Sequence, residues 1–125
     1  MRPLIEELLD GVALGFLEEY GAKREGVFVR SADRWLGAWV GGELAGVVAL
    51  HTKRRAVKVS SLYVRPEYRG QGVGRALIAW ATSDPHVSYV AYAMPMSVRL
   101  FLREGFHART SYKNGVTYCA RPARR

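Results

Sequence analysis

The chain has 125 residues, 49% hydrophobic and 24% charged, with a formal net charge of +8 and a single cysteine, Cys119. That length predicts one domain, residues 1–125, with a sizeable core, and one cysteine excludes an intrachain disulfide. The apolar runs are too short to span a bilayer and the acidic start "MRPLIEELLDG" does not read as a secretion signal, so a cytoplasmic protein with no membrane partner is expected.

In chain order, Leu4, Ile5, Leu8, Leu9 and Val12 recur at helical spacing, with Glu6, Glu7 and Asp10 between them. This predicts a helix from Leu4 to Tyr20, or two short ones, since Gly11 and Gly15 weaken the middle. Val27 to Arg30 reads as a short strand and Trp35 to Val40 as a better one. Gly41-Gly42 signals a hairpin whose return strand is Leu44 to His51. "TKRR", Thr52 to Arg55, turns the chain into Ala56 to Val64 and completes an antiparallel meander. Pro66 stops that strand, and a helix follows from Gly72 to Thr82. Val87 to Ala93 reads as a buried strand. Pro95 suits the first turn of a helix that runs to Glu104 and is capped by Gly105. Phe106–Tyr112 and Val116–Arg121 form a closing hairpin through Asn114-Gly115. The sum is an α/β (α+β) fold, a mixed and mostly antiparallel sheet flanked by helices.

The stretch "VRPEYRGQGVG", Val64 to Gly74, sits between a strand and a helix start. The first turn of a helix leaves N–H groups unpaired, and its macrodipole adds positive charge there. Gly70, Gly72 and Gly74 let an anion approach the backbone, with Arg69 and Arg75 on either side. A pyrophosphate fits this description; a close-packing turn is the plainer alternative. The spacing is neither a P-loop nor the dinucleotide fingerprint. The basic excess, concentrated in "TKRR" and the terminal "ARPARR", suits a nucleic acid, an anionic lipid or a phosphorylated cofactor without choosing among them. No stretch resembles a nucleic-acid-binding motif, and no His/Cys/Asp cluster has metal-ligand spacing, so no metal is expected. Trp35 and Trp39 should face one side of their strand, toward the core or an acceptor pocket. Cys119 reads as a buried core residue.

"LYVRPEYRGQGVGRALIAWA" resembles the acetyl-CoA-binding motif of the GNAT superfamily of N-acetyltransferases. Arg69, Gly72 and Gly74 satisfy the family signature, and Val64, Pro66, Tyr68, Gly70 and Gln71 match the flanking pattern. "LFLREGF", Leu100 to Phe106, resembles the family's second landmark. The resemblance covers Leu44 to Tyr118. It implies acetyl-CoA as co-substrate and an amine acceptor. The pyrophosphate would lie on the backbone N–H groups of Gln71, Gly72, Val73, Gly74 and Arg75, and the pantetheine arm beside Leu62, Tyr63 and Val64, as an added strand. It also implies that the Ser60–Val64 and Val87–Ala93 strands splay apart to hold the thioester, with a backbone N–H near Val64 as oxyanion donor.

The chain departs from the family in three places. The family tyrosine that protonates the leaving thiolate falls at Phe101, which leaves Ser97 and Tyr92 as substitutes. The strand before the glycine loop, Lys58 to Leu62, carries no acid, so His51 is the nearest candidate base. The usual N-terminal edge strand is either missing or replaced by Val27 to Arg30. These departures keep a second reading open, an acyl-CoA-binding module with little activity that acts as a sensor or protein partner. Many family members form homodimers, but no stretch here specifies an interface.

Overall fold

The protein is described from a computed structural model, which covers residues 2–124. In chain order the elements are β1 (Leu4–Leu8), α1 (Asp10–Glu19), a 3-10 turn (Ala22–Glu25), β2 (Arg34–Val40), β3 (Glu43–Thr52) and β4 (Val57–Val64). A second 3-10 turn (Pro66–Tyr68), α2 (Val73–Ala81), β5 (Tyr89–Ala93), α3 (Val98–Arg103), β6 (His107–Ser111) and β7 (Thr117–Arg121) complete the chain. The strands form one seven-stranded sheet in the order β1-β2-β3-β4-β5-β7-β6. Every neighbouring pair is antiparallel except β4 and β5, so the expected mixed sheet is present.

Alternation sorts the strand side chains onto two faces. Leu36, Val48, Leu50, Val59, Ala91 and Cys119 pack with Leu77 and Ile78 of α2 and Phe101 of α3. Trp35, Val47, Ala49 and Tyr63 pack on the other face with Ala13, Phe16 and Leu17 of α1 and with Ala22. Trp35 is 1% exposed and its indole N–H donates to Asp10, so it is a core residue rather than a pocket wall. Cys119 is buried as expected, and burial raises its thiol pKa.

Two expected elements differ. Leu4–Leu8 is not helical but the edge strand, paired antiparallel with β2 from Leu4↔Trp39 to Leu8↔Trp35. The spacing of Leu4, Ile5 and Leu8 fits either period, and tertiary pairing decides it: Ile5 enters the core at 9% exposure, while Leu9 and Val12 are 78% and 47% exposed. The N-terminal edge strand is therefore neither missing nor supplied by residues 27–30. Val27–Arg30 is not a strand at all. Val27 N donates to Ala22 O and the Ser61 hydroxyl donates to Phe28 O, and just beyond the segment Asp10 accepts from Ser31 Oγ and Ala32 N.

One irregularity shapes the centre of the sheet. Val47 pairs with Tyr63 and Ala49 with Ser60, so Val48 faces two residues of β4, Ser61 and Leu62. Ser61 takes a φ of +52°, the one non-glycine residue with positive φ among the described residues. Such a bulge bends its strand. β4 accordingly pairs with β5 only at Val57↔Tyr89, Lys58↔Val90 and Val59↔Ala91. From Ser60 onward the two strands part.

Candidate active site

The gap between β4 and β5 leads to the glycine loop. Gly70 and Gly72 have φ of +76° and +86°, and a Cβ built on either would meet no atom within 4 Å. Both therefore supply the turn and leave the space in front of it open. Gly74 differs: a Cβ there would lie 3.0 Å from Leu100 Cδ1, so this glycine lets α2 and α3 approach. Ala76 is the first amide of α2 to find a backbone carbonyl, Gly72 O at 3.0 Å. Among the described residues the amides of residues 70–75 have no hydrogen-bond partner. Unpaired donors beside glycines, at the positive end of a helix, fit an anionic group.

The strand side of the site follows from alternation. Arg65 N–H donates to Ala45 O of β3. Successive N–H groups of a strand point to opposite edges, so those of Val64 and Leu62 face the gap. Val64 O also points there, where Arg69 Nε donates to it at 2.8 Å.

Arg69 is held on both sides. Its Nη2 reaches Glu25 Oε1 at 2.8 Å, while the Tyr63 hydroxyl donates to Glu25 Oε2 at 2.9 Å. These two donors hold the Glu25 carboxyl below the usual carboxylate range. Glu25 thus braces the glycine loop from a 3-10 turn 44 residues earlier in the chain, a contact no local pattern announces. Gln71 ties the loop to itself through Nε2 to Glu67 O at 3.0 Å. Glu67 pairs with Arg65 at 2.7 Å. The Arg75 side chain is 62% exposed, 3.9 Å from Glu104, and remains available to an anion.

Residues 5–106 match the Acetyltransferase (GNAT) family. The chain belongs to that family. No curated protein matches it significantly in sequence. Among solved structures it resembles YncA of Salmonella typhimurium, determined with its cofactor acetyl-CoA, at 17% identity and a TM-score of 0.74, covering 100% of this chain and 96% of that one. It also resembles Escherichia coli ElaA, at 16% identity and a TM-score of 0.73, with coverage of 95% and 99%. The YlbP N-acetyltransferase of Bacillus subtilis, in complex with coenzyme A, matches at 17% identity and a TM-score of 0.63, with 96% of each chain covered. These likenesses show a shared fold.

Phe101 is 3% exposed and packs edge-on against Phe106, ring centroids 5.1 Å apart. Ser97 precedes α3 and its hydroxyl donates to Met94 O at 3.1 Å. Tyr92 is 54% exposed on β5 and packs at a tilt against Tyr118 with ring centroids 5.0 Å apart. Its hydroxyl has no partner among the described residues. His51 lies opposite Lys58, on the α1 face, with Nε2 2.9 Å from Ser60 Oγ. Burial first, then the charges of Lys58 and Lys53, hold the imidazole below the ordinary histidine value. This favours the neutral imidazole, the form that can accept a proton. Ser60, which sequence reading did not single out, joins His51 to the point where the strands part. Two cavities of about 520 and 460 Å³, one against Thr82 and Arg121 and one against Trp80 and Tyr89, include none of these residues.

Proposed function

We propose that the chain binds acetyl-CoA in the gap beside β4 and transfers the acetyl group directly to an amine. The observation that supports this most is the set of unpartnered amides at residues 70–75, continuous with the open edge of β4. Acetyl-CoA supplies an activated acyl group and a thiol leaving group. The amides of Gln71, Gly72, Val73, Gly74 and Arg75 would hold its pyrophosphate, with Gly70 turning the loop and Arg75 adding charge. Arg69 would act chiefly as a brace, because its guanidinium already joins Val64 O to Glu25.

The amides of Leu62 and Val64 would meet the carbonyls of the pantetheine arm and the thioester, as an added strand does. Polarising the thioester carbonyl there is oxyanion stabilisation. Once neutral, the amine nitrogen attacks the carbonyl carbon, a C–N bond forms, the C–S bond breaks, and the second proton lost by nitrogen balances the departing thiolate. A lysine-type amine has a pKa near 10.4, so deprotonating it at pH 7 costs about 4–5 kcal/mol. His51 would take that first proton, directly or through Ser60, whose Oγ lies 2.9 Å from its Nε2. Of the two candidate acids, Tyr92 has a hydroxyl with no partner among the described residues, whereas that of Ser97 is given to Met94 O. Protonating a thiolate of pKa near 8.5 is worth about 2 kcal/mol at pH 7, so the loss at Phe101 slows such an enzyme rather than silencing it.

Phe101 and the acid-free β4 also favour a second reading, a CoA-binding module without turnover. Calorimetric titration with acetyl-CoA, followed by thiol release across a panel of amines, separates the two. Saturable binding with thiol release supports the transferase. Binding without release supports the module. Absence of binding refutes both.

A further inference from the structure

The acceptor can reach the gap from one side. On the α2 and α3 face the strands are backed by Val59, Ala91, Ala93 and Phe101, all buried in the core. On the α1 face the register sets Lys58 beside both His51 and Val90, with Ser60 and Tyr92 next along their strands. The rim there is the segment Phe28–Arg30, held to β4 by the Ser61 hydroxyl on Phe28 O, with the Arg30 guanidinium 4.9 Å from the Phe28 ring centroid. Lys53 and Arg30 are near enough for their charges to act on both Lys58 and His51.

This rim carries an excess of positive charge. Among the described residues Arg30, Lys53 and Lys58 form no ion pair, although Arg34, Arg65, Arg69 and Arg75 all do. Asp33 is the one carboxylate acting on His51, and its Oδ2 accepts the Thr52 amide. Burial, then the charges of Lys53 and Arg30, disfavour the ammonium form of Lys58, a condition an incoming anion relieves.

We infer that the acceptor is a primary amine that also carries an anionic group, a carboxylate or a phosphate, held by Lys58 and Arg30 while its nitrogen faces the gap. The inference rests on the transferase reading above. A polyamine or a lysine-rich peptide would bring further positive charge against this rim. An anionic amine complements it. The same cations favour loss of a proton from the nearby amine, which offsets the missing carboxylate base.

The test uses matched amines: phosphoethanolamine against ethanolamine, β-alanine against its amide, and spermidine as a cationic reference. Thiol release is measured with acetyl-CoA, and amine binding is measured by calorimetry on the protein with and without CoA. The anionic member of at least one pair should exceed its neutral partner by about tenfold or more in kcat/KM. Which pair shows it tells phosphate from carboxylate. Lys58→Met and Arg30→Met should bring that ratio toward one through KM, with affinity for CoA unchanged. Preference for the neutral amines or spermidine overturns the inference, as does a ratio that survives both variants. If acetyl-CoA does not bind, the transferase reading fails. The anion site is then judged on binding alone: capture of an anionic amine that is lost in Lys58→Met supports it, and no capture overturns it.

Discussion

Replacing Gly72 with Asp should remove CoA binding and leave the fold in place. The backbone at Gly72 has φ +86° and ψ 6°, where an L-residue costs about 1–2 kcal/mol. Its Cβ would meet no protein atom within 4 Å, so no packing loss is added. For a domain of this size the melting temperature should fall by about 3–10 °C, at about 3–5 °C per kcal/mol. The carboxylate would stand in front of the unpaired amides. At about 6 Å and an effective dielectric of about 20–60, each pyrophosphate charge would be repelled by about 1–3 kcal/mol. Two such charges total about 2–6 kcal/mol, a loss of about 30-fold to about 20,000-fold in affinity. Gly72→Ala carries the backbone cost without the charge and should lose much less. Calorimetric titration with CoA, beside thermal melts of both variants, reads each part separately. Wild-type affinity in a folded Gly72→Asp protein would refute the assignment of the loop.

Gly74→Ala should act by another route, pressing on Leu100 Cδ1 at 3.0 Å, so urea unfolding should show less than the gain of about 1 kcal/mol that Ala brings over Gly inside a helix. Because the His51 pKa is lowered in the folded protein, the acid limb of the kcat/KM profile should lie below the ordinary histidine value, and His51→Gln should erase that limb; an unchanged profile removes His51 as base. The Asp10 carboxyl is lowered by the Trp35 indole, the Ala32 amide and the Ser31 hydroxyl, so its stabilisation is present above the ordinary value of 3.8 and is lost as pH falls through the folded one. Melts of wild type and Asp10→Asn should therefore differ at pH 7 and converge in acid. Phe101→Ala empties a buried slot against Phe106 and should cost about 3–5 kcal/mol in urea unfolding.

Most of the sheet was legible because its strands announce themselves locally. Gly41-Gly42 and Asn114-Gly115 join the strands their sequences predict, and Pro66 does end β4. The glycine loop was legible for the same reason, since the turn, the unpaired amides and the helix start lie within one short stretch. What escaped was fixed at long range. Leu4, Ile5 and Leu8 satisfy a helical period, and only pairing with Trp35 through Trp39 makes them a strand. Residues 27–30 read as a strand but are held by Ser61 on Phe28 O, with Asp10 fastening the next two residues, Ser31 and Ala32. Glu25 reaches Arg69 across 44 residues, and Ser60 meets His51 only through the register of β3 on β4. The departure at Phe101 was visible in the sequence, and its burial adds that this position serves the core.

The measurement that tests the account most directly is a titration of isotopically labelled protein with CoA, followed through its backbone amide resonances. The account predicts the largest shifts at residues 70–75, where the amides are unpaired, with a second set at Leu62 and Val64 along the open edge of β4. Shifts confined to another surface, or none at saturating CoA, would contradict it.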